Sequence, residues 1–153
     1  MFRKILVALD HSGADAVLLA HVKELARLMQ SEILLLHVST GWKAQWQLDL
    51  NLTDSDEMHG DRAYLMKVED AVRSEGFTVR ARHAAGKPAD EILKAAREEQ
   101  CDLIAMASHG HRLLRDVIYG TTITHVRHAA EIPLLLVRGM SGQDASFPGR
   151  PSS

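Results

Sequence analysis

The sequence predicts a doubly wound α/β domain in which five parallel strands form one sheet with helices on both faces. Strands are predicted at residues 3–9, 33–38, 103–107 and 134–137, which are mainly apolar without polar alternation, as is typical of strands buried on both faces. Amphipathic helical patterns separate these runs, so strand and helix alternate along the chain. Right-handed crossovers then place helices on both faces.

The first two helices are predicted from capping residues and apolar spacing. Ser12 and Asp15 match a capping box, and a helix with apolar residues at helical spacing follows them. A second helix is expected from residues 60–61 to residue 74, where Gly76 ends it. The residues expected to face inward are Val17, Leu18, Val22, Leu25, Ala26 and Met29 in the first helix, and Tyr64, Leu65, Val68, Ala71 and Val72 in the second.

The second half of the chain continues the alternation. Residues 78–83 alternate between apolar and polar, as expected at the edge of a sheet. Gly86-Lys87-Pro88 starts a third helix with proline in its first turn. The buried strand at 103–107 leads into a polar loop at residues 108–112. After a short apolar turn, Gly120-Thr121-Thr122 is expected to open the last helix. That helix turns Ile123, Val126 and Ala130 inward.

Composition and charge indicate an ordinary globular chain. Of its 153 residues, 46% are hydrophobic and 25% are charged, so we expect one domain at residues 1–138. Residues 139–153 are rich in Gly, Ser and Pro and predict a flexible tail. The net charge of −2 gives no general reason to bind nucleic acid or an anionic membrane. Cys101 is the single cysteine, so no internal disulfide can form and the cytoplasm is the expected compartment.

Two glycine-containing segments predict a phosphate site. Gly110 lets a ligand approach the backbone closely, because glycine has no Cβ. A helix that starts at Gly120-Thr121-Thr122 offers free N–H groups, two hydroxyls and the positive end of a helix dipole. The chain has neither a P-loop pattern nor Gly-x-Gly-x-x-Gly after the first strand. A P-loop NTPase and the usual dinucleotide fold are therefore excluded.

These segments resemble the universal stress protein family. Gly110, nine intervening residues and Gly120-Thr121 match most of its Gly-x2-Gly-x9-Gly-Ser/Thr nucleotide signature, whose first glycine falls on Ala107. The resemblance covers about residues 2–138, and only 39–60 and the tail differ from it. Other local matches occur in the family's order, namely Ile-Leu-Val-Ala-Leu-Asp at 5–10, Leu-Leu-His-Val at 35–38, Gly-Lys-Pro-Ala-Asp-Glu-Ile at 86–92, and Arg127-His128-Ala129 before Pro133.

The resemblance implies the strand order 3-2-1-4-5, with the ligand at the carboxyl ends of strands 1 and 4, where the winding reverses. It implies ATP or a related adenine nucleotide as the ligand, with Mg²⁺ or Mn²⁺ on the phosphates. Val38 would meet adenine through its backbone, and Asp10 would take the ribose or a phosphate-bound metal. The residues expected to bind the nucleotide are Ala8, Asp10, Val38, Met106, Ala107, His109, Gly110, Gly120, Thr121 and Thr122.

The resemblance also implies a homodimer, since the family commonly pairs through its last strand. Leu134, Leu135, Leu136 and Val137 would form an open apolar edge there, and such an edge invites pairing with another chain. The expected partners are thus an adenine nucleotide and a second copy of the chain, without nucleic acid or membrane.

Three function classes remain open, namely a nucleotide-binding stress-response regulator, a slow ATP hydrolase and a ligand-free dimeric interaction module. No catalytic residue can be assigned, because a water-activating group is recognised by geometry. His109, His111, His125 and His128 suggest a metal cluster, but no cysteine or carboxylate pair at zinc spacing accompanies them. Residues 39–60, with Trp42 and Trp46, are interpreted as an ordered connection, with a lid or partner surface as the alternative.

Overall fold

The computed structural model describes residues 1–40, 56–109 and 113–139, which form a five-stranded sheet. Neighbouring strands pair in parallel, and their order is β3-β2-β1-β4-β5. The predicted fold class and strand order are both confirmed. The strands are β1 (Lys4–Leu9), β2 (Glu32–Ser39), β3 (Val79–Ala85), β4 (Leu103–His109) and β5 (Leu134–Gly139).

Four helices lie in the described part of the chain. They are α1 (Ala14–Met29), α2 (Asp56–Ser74), α3 (Pro88–Glu98) and α4 (Leu113–Ala129). Pro88 stands in the first turn of α3, as predicted, where its missing N–H has no helical partner to lose. Within the described residues, no helix is both long and apolar enough to cross a bilayer.

The sheet separates two apolar cores, because successive residues of a strand point to opposite faces. Alternate residues of β1 show this division, since Ile5 and Val7 pack with α1 and α2, whereas Leu6 packs with α3 and α4. All three are fully buried. From the helices, Leu18, Val22, Leu65 and Val72 fill the first core, and Ile92, Ala95, Ala96 and Val126 fill the second.

Two helix starts differ from the sequence prediction. Helix α2 begins at Asp56 rather than at residues 60–61. Ala71, expected to face inward, is exposed. Helix α1 begins at Ala14, so the predicted capping box is modified: Ser12 Oγ accepts the Ala14 N–H, and the Asp15 carboxylate reaches back to the β1–α1 loop.

The largest correction concerns the segment after β4. Ser108 and His109 continue this strand, because they pair in register with Arg138 and Gly139 of β5. Helix α4 then begins at Leu113, so Gly120, Thr121 and Thr122 lie inside the helix instead of opening it. The apolar residues at 113–118 recur at helical spacing, and what was interpreted as a short turn is the first part of α4.

Several predictions fall outside the described residues. They concern the connection at residues 41–55, the loop residues 110–112 and the predicted tail at 140–153. Gly139, predicted to open the tail, is the last residue of β5.

Helix α1 provides a matched test of the first core. Leu18 is fully buried, whereas Leu28 on the same helix is 82% exposed. We expect Leu18→Ala to lower the free energy of unfolding by about 2 to 5 kcal/mol through lost burial and a cavity. Leu28→Ala should change it by less than about 0.5 kcal/mol. Urea denaturation measures both changes, and equal losses for the two variants would contradict this packing.

Candidate functional site

A cleft opens at the carboxyl ends of β1, β2 and β4. Its floor is formed where Ala8 pairs with Leu36 on one side and Met106 on the other. Because Ala8 is much smaller than these two neighbours, the floor dips at β1. The described residues that line the cleft are Ala8, Leu9, Asp10, Leu36, Val38, Pro88, Ile92, Met106 and Ala107.

Half of the ten residues predicted to bind a ligand lie together in this cleft: Ala8, Asp10, Val38, Met106 and Ala107. Met106 and Val38 are buried parts of the apolar floor and wall. Asp10 follows β1 directly, and it supplies the charge among the described lining residues. The cleft thus combines an apolar floor with one carboxylate at its mouth.

The other five predicted residues follow β4 or belong to α4. His109 ends β4, and Gly110 lies outside the described residues. Gly120, Thr121 and Thr122 are on α4, and the described lining of the cleft does not include them. Thr121 is exposed, whereas Thr122 is only 4% exposed. Of the two hydroxyls, the one on Thr121 is therefore the accessible group.

Ala107 occupies the position where the family signature has glycine. Its side chain belongs to the core beneath α1 and α2, on the sheet face opposite to Ala8 and Met106. Its φ is negative, unlike the three described non-glycine residues in the left-handed region, so alanine fits this backbone without strain. The methyl group therefore fills the core instead of narrowing the apolar floor of the cleft.

A buried carboxylate holds the loop that carries Asp10. Asp15 accepts hydrogen bonds from the N–H groups of Asp10 (3.0 Å) and His11 (2.9 Å) and from the Tyr64 hydroxyl (2.7 Å). His11 has a left-handed φ of 61° and stacks on Tyr64 with a centroid distance of 4.0 Å. The position of Asp10 at the mouth of the cleft is thus set from the α1–α2 side of the sheet.

The environment of Asp15 shifts its acidity. Burial raises the pKa of Asp15 to about 6, the N–H of Asp10 opposes that rise, and the nearby Asp10 charge adds to it. The same burial, together with the hydrogen bond to Asp15, raises the pKa of Tyr64. Tyr64 therefore stays a hydrogen-bond donor at neutral pH.

A second buried carboxylate, Asp61 on α2, joins the ends of β1 and β2. One oxygen lies 3.0 Å from His11 Nδ1, and the other accepts the Ser39 hydroxyl at 2.9 Å and lies 3.1 Å from His37 Nε2. Burial raises the pKa of Asp61, but the His11 hydrogen bond, the His37 charge and the Ser39 and His37 hydrogen bonds outweigh it. The pKa of this carboxyl is therefore below its ordinary value.

The polar cluster extends to the edge strand. His83 Nε2 on β3 lies 2.7 Å from Ser39 Oγ, and its ring stacks on His37 at 5.9 Å. Since Ser39 donates to Asp61, the Ser39 oxygen accepts from His83. Because the Ser39 hydroxyl donates to Asp61 and not to His83, this arrangement is not the Ser–His pair of a serine nucleophile.

Sequence reasoning missed this cluster. Asp61, Ser39 and His83 lie 22 residues or more apart in the chain, so no local motif links them. The sequence could have pointed to Ser39 and His83 only by position, because both lie near the carboxyl end of a strand. Among the described residues, no group of three or more His, Cys, Asp or Glu side chains is placed to hold a metal ion.

These observations define the class of the protein: a doubly wound α/β fold with a cleft at the topological switch point of its sheet. The model of the Universal stress protein family matches residues 1–138. The chain therefore belongs to the universal stress protein family, and the resemblance inferred from the sequence is confirmed.

Known relatives match the chain over most of its length. Universal stress protein MJ0577 of Methanocaldococcus jannaschii is 26% identical, with 90% of this chain and 96% of the relative covered. Universal stress protein YxiE of Bacillus subtilis is 28% identical, with 90% and 100% covered. The solved structure of MJ0577 superposes with a TM-score of 0.76 at 27% identity and covers 92% of this chain and 99% of that one.

Two further solved structures with this fold contain nucleotides. The universal stress protein from Archaeoglobus fulgidus in complex with dAMP has a TM-score of 0.64 at 21% identity, with 89% of this chain and 98% of that chain covered. A universal stress protein in complex with cAMP has a TM-score of 0.65 at 16% identity, with 90% and 97% covered.

The raised pKa of Asp15 predicts a pH-dependent contribution to stability. Because the folded-state pKa of about 6 exceeds the ordinary value of 3.8, this group stabilises the fold most below about pH 4. That contribution is lost as the pH rises through about 6, and it amounts to about 2 to 3 kcal/mol. The difference in unfolding free energy between wild type and Asp15→Asn should shrink by this amount from about pH 4 to pH 7.

The control for this measurement is Asp70→Asn, at a side chain that is 73% exposed on α2. Its difference from wild type should stay constant over the same pH range. Urea denaturation at each pH gives the free energies. A constant difference for Asp15→Asn as well would show that Asp15 does not titrate in this way.

Proposed function

We propose that the protein is a regulatory protein that binds ATP or a related adenine nucleotide in the cleft. The observation that carries this proposal is the apolar floor of Ala8, Leu36 and Met106 with Asp10 at its mouth, at the switch point of the sheet. An apolar cleft with a few polar groups is the usual form of a small-molecule site. The purine base would lie on the floor, and the ribose would hydrogen-bond to Asp10.

The dAMP and cAMP complexes of related folds support the choice of an adenine nucleotide. They also support a ligand whose base and ribose supply most of the contact, since dAMP and cAMP each carry one phosphate. In this protein the Val38 backbone borders the cleft beside the floor, where it would recognise the edge of the base.

The phosphates would extend from Asp10 toward the segment that follows β4. Gly110, Gly120, Thr121 and Thr122 are the residues that the sequence pattern predicts for them. Because Gly120 lies inside α4, its N–H does not serve as a free helix-terminal donor in this conformation. We propose instead that Thr121, which is exposed, contacts a phosphate. Mg²⁺ or Mn²⁺ would bind to the phosphates, and in that arrangement Asp10 could take the metal in place of the ribose.

The strand β5 would form the homodimer interface. β5 is an edge strand, and Leu136 on it is 43% exposed, whereas Leu134 and Leu135 pack against the two cores. An open edge with an exposed apolar side chain favours pairing with a second copy of the chain. The cytoplasm is the compartment proposed for this dimer, since the single Cys101 is a buried thiol.

The nucleotide proposal predicts measurable binding that depends on Asp10. Calorimetric titration with ATP, ADP and GTP in Mg²⁺ should detect binding by the wild type. Asp10→Ala should weaken ATP binding by roughly 10- to 150-fold, since it removes a charged hydrogen-bonding group worth roughly 1.5 to 3 kcal/mol. The control Asp70→Ala changes a carboxylate that is 73% exposed on α2 and should leave affinity unchanged.

Ala107→Gly tests the altered signature position in the same titration. Because the Ala107 methyl group lies in the core beneath α1 and α2, its removal should leave ATP affinity equal or slightly improved. No detectable binding by the wild type at millimolar ATP, with no nucleotide released on acid extraction, would reject the proposal. The protein would then be a ligand-free dimeric module of this fold.

The dimer proposal predicts that Leu136→Lys weakens association. A lysine at this exposed edge position places a charge in the interface and leaves both cores intact, unlike a lysine at Leu135. Sedimentation velocity at micromolar concentration should show a dimer for the wild type and a monomer for the variant. Met66→Lys, at a residue 63% exposed on α2, is the control and should remain dimeric. A monomeric wild type would contradict the proposal.

A further inference from the structure

The polar cluster around Asp61 supports both walls of the cleft from the opposite face of the sheet. Ser39, which donates to Asp61, directly follows Val38 in the chain. His37 contacts Asp61 through Nε2 at 3.1 Å and the Leu9 carbonyl through Nδ1 at 2.9 Å. Leu9 directly precedes Asp10, and both line the cleft. A change at Asp61 therefore reaches the β1 wall and the β2 wall together.

His37 is enclosed by acceptors on both sides. A neutral imidazole has one N–H, yet a carbonyl oxygen and a carboxylate face its two ring nitrogens. Both contacts are hydrogen bonds only when the pair holds one further proton, either as imidazolium with carboxylate or as imidazole with carboxylic acid. Without that proton, the imidazole satisfies one acceptor and turns a lone pair toward the other. A buried unsatisfied acceptor is unfavourable, so the strand end would shift.

We propose that Asp61 is a positioning residue that holds the walls of the nucleotide cleft through Ser39 and His37, and that the proton shared by His37 and Asp61 makes nucleotide affinity dependent on pH. The proton holds Leu9 against His37, and Leu9 sets the position of Asp10. Loss of the proton at higher pH releases the end of β1 and weakens the site. This inference rests on the nucleotide-binding function proposed above.

The elements packed against the His37–Asp61 pair carry further titratable groups. His83 on β3 stacks on His37, and His11 in the β1–α1 loop meets the His37 ring edge-on at 6.4 Å. Asp15 on α1 and Tyr64 on α2 hold the same loop through its N–H groups and the His11 ring. Burial raises the pKa of Asp15 to about 6, and Asp15 is present in both proteins compared below, so its titration is common to them.

The test compares the pH dependence of ATP affinity in wild type and His37→Gln. Glutamine can donate to one of the two acceptors, but it carries no titrating proton. We expect the wild-type Kd for MgATP to rise by about three- to tenfold between about pH 6.5 and pH 9, the effect of one lost hydrogen bond. His37→Gln should bind with a weak, nearly constant Kd over that range. Titration of the terminal phosphate is common to both proteins and cancels in the comparison.

Two further variants complete the experiment. Asp61→Asn should lose the pH dependence in the same way, because the amide cannot share the proton. His21→Gln alters an exposed histidine on α1 and should follow the wild-type curve. Circular dichroism checks that each variant is folded, and if Asp61→Asn is not, His37→Gln decides the result alone.

The outcomes separate this inference from the function on which it rests. Wild-type protein that binds no ATP at any pH rejects the nucleotide-binding function and this inference with it. If the wild-type protein binds ATP with the same pH profile as His37→Gln, the shared proton does not control nucleotide affinity and this inference is wrong. The nucleotide-binding function is then unaffected.

Discussion

Burial of the sheet on both faces is the constraint on which the rest of the structure depends. The central strands β1, β2 and β4 carry fully buried residues toward α1 and α2 and toward α3 and α4 alike. Parallel strands need crossover connections, and those connections place helices over both faces. Polar chemistry is thereby excluded from the interior of the sheet. The strand ends, where side chains pass from core to solvent, are the positions left for it.

The carboxyl ends of the strands hold two different environments that share Asp10. On the α3–α4 face, Ala8 between Leu36 and Met106 leaves an apolar depression. On the α1–α2 face, the carboxylates of Asp15 and Asp61 collect hydrogen bonds from the loop after β1 and from the end of β2. One face provides space for a ligand, and the other determines where the surrounding backbone stands.

The two buried carboxylates differ in how well their charges are compensated. Asp61 has histidine and hydroxyl donors around it, and these lower its pKa despite burial. Asp15 is buried near the negative Asp10 and its pKa is raised, so its ionised form is held at a cost in stability. Yet that ionised form accepts the N–H groups of Asp10 and His11. The geometry of the cleft mouth thus depends on the unfavourably buried charge of Asp15. Because this carboxyl gains a proton as the pH falls, the order of the loop after β1 depends on pH.

The apolar runs, the helical spacing and the glycine-threonine signature were sufficient to predict the fold class and, through the family resemblance, the strand order. These patterns are local, and a buried parallel strand differs from an amphipathic helix within a few residues. The start of α4 was predicted wrongly because Gly120-Thr121-Thr122 suits a helix start, while the preceding apolar residues continue the helix toward Leu113. Local preference does not choose between two acceptable starts; packing does.

What the sequence by itself determined is the fold and the identity of about half of the cleft, because Asp10, Val38 and Ala107 adjoin strands that can be recognised from their own residues. The tertiary structure alone decided that Ala8 lies between Leu36 and Met106, that the Ala107 methyl group faces the core, and that Asp61 meets His11, His37 and Ser39. Each of these facts depends on register or on contacts between residues far apart in the chain. Such contacts exist only after the strands have paired, and for that reason no local pattern encodes them.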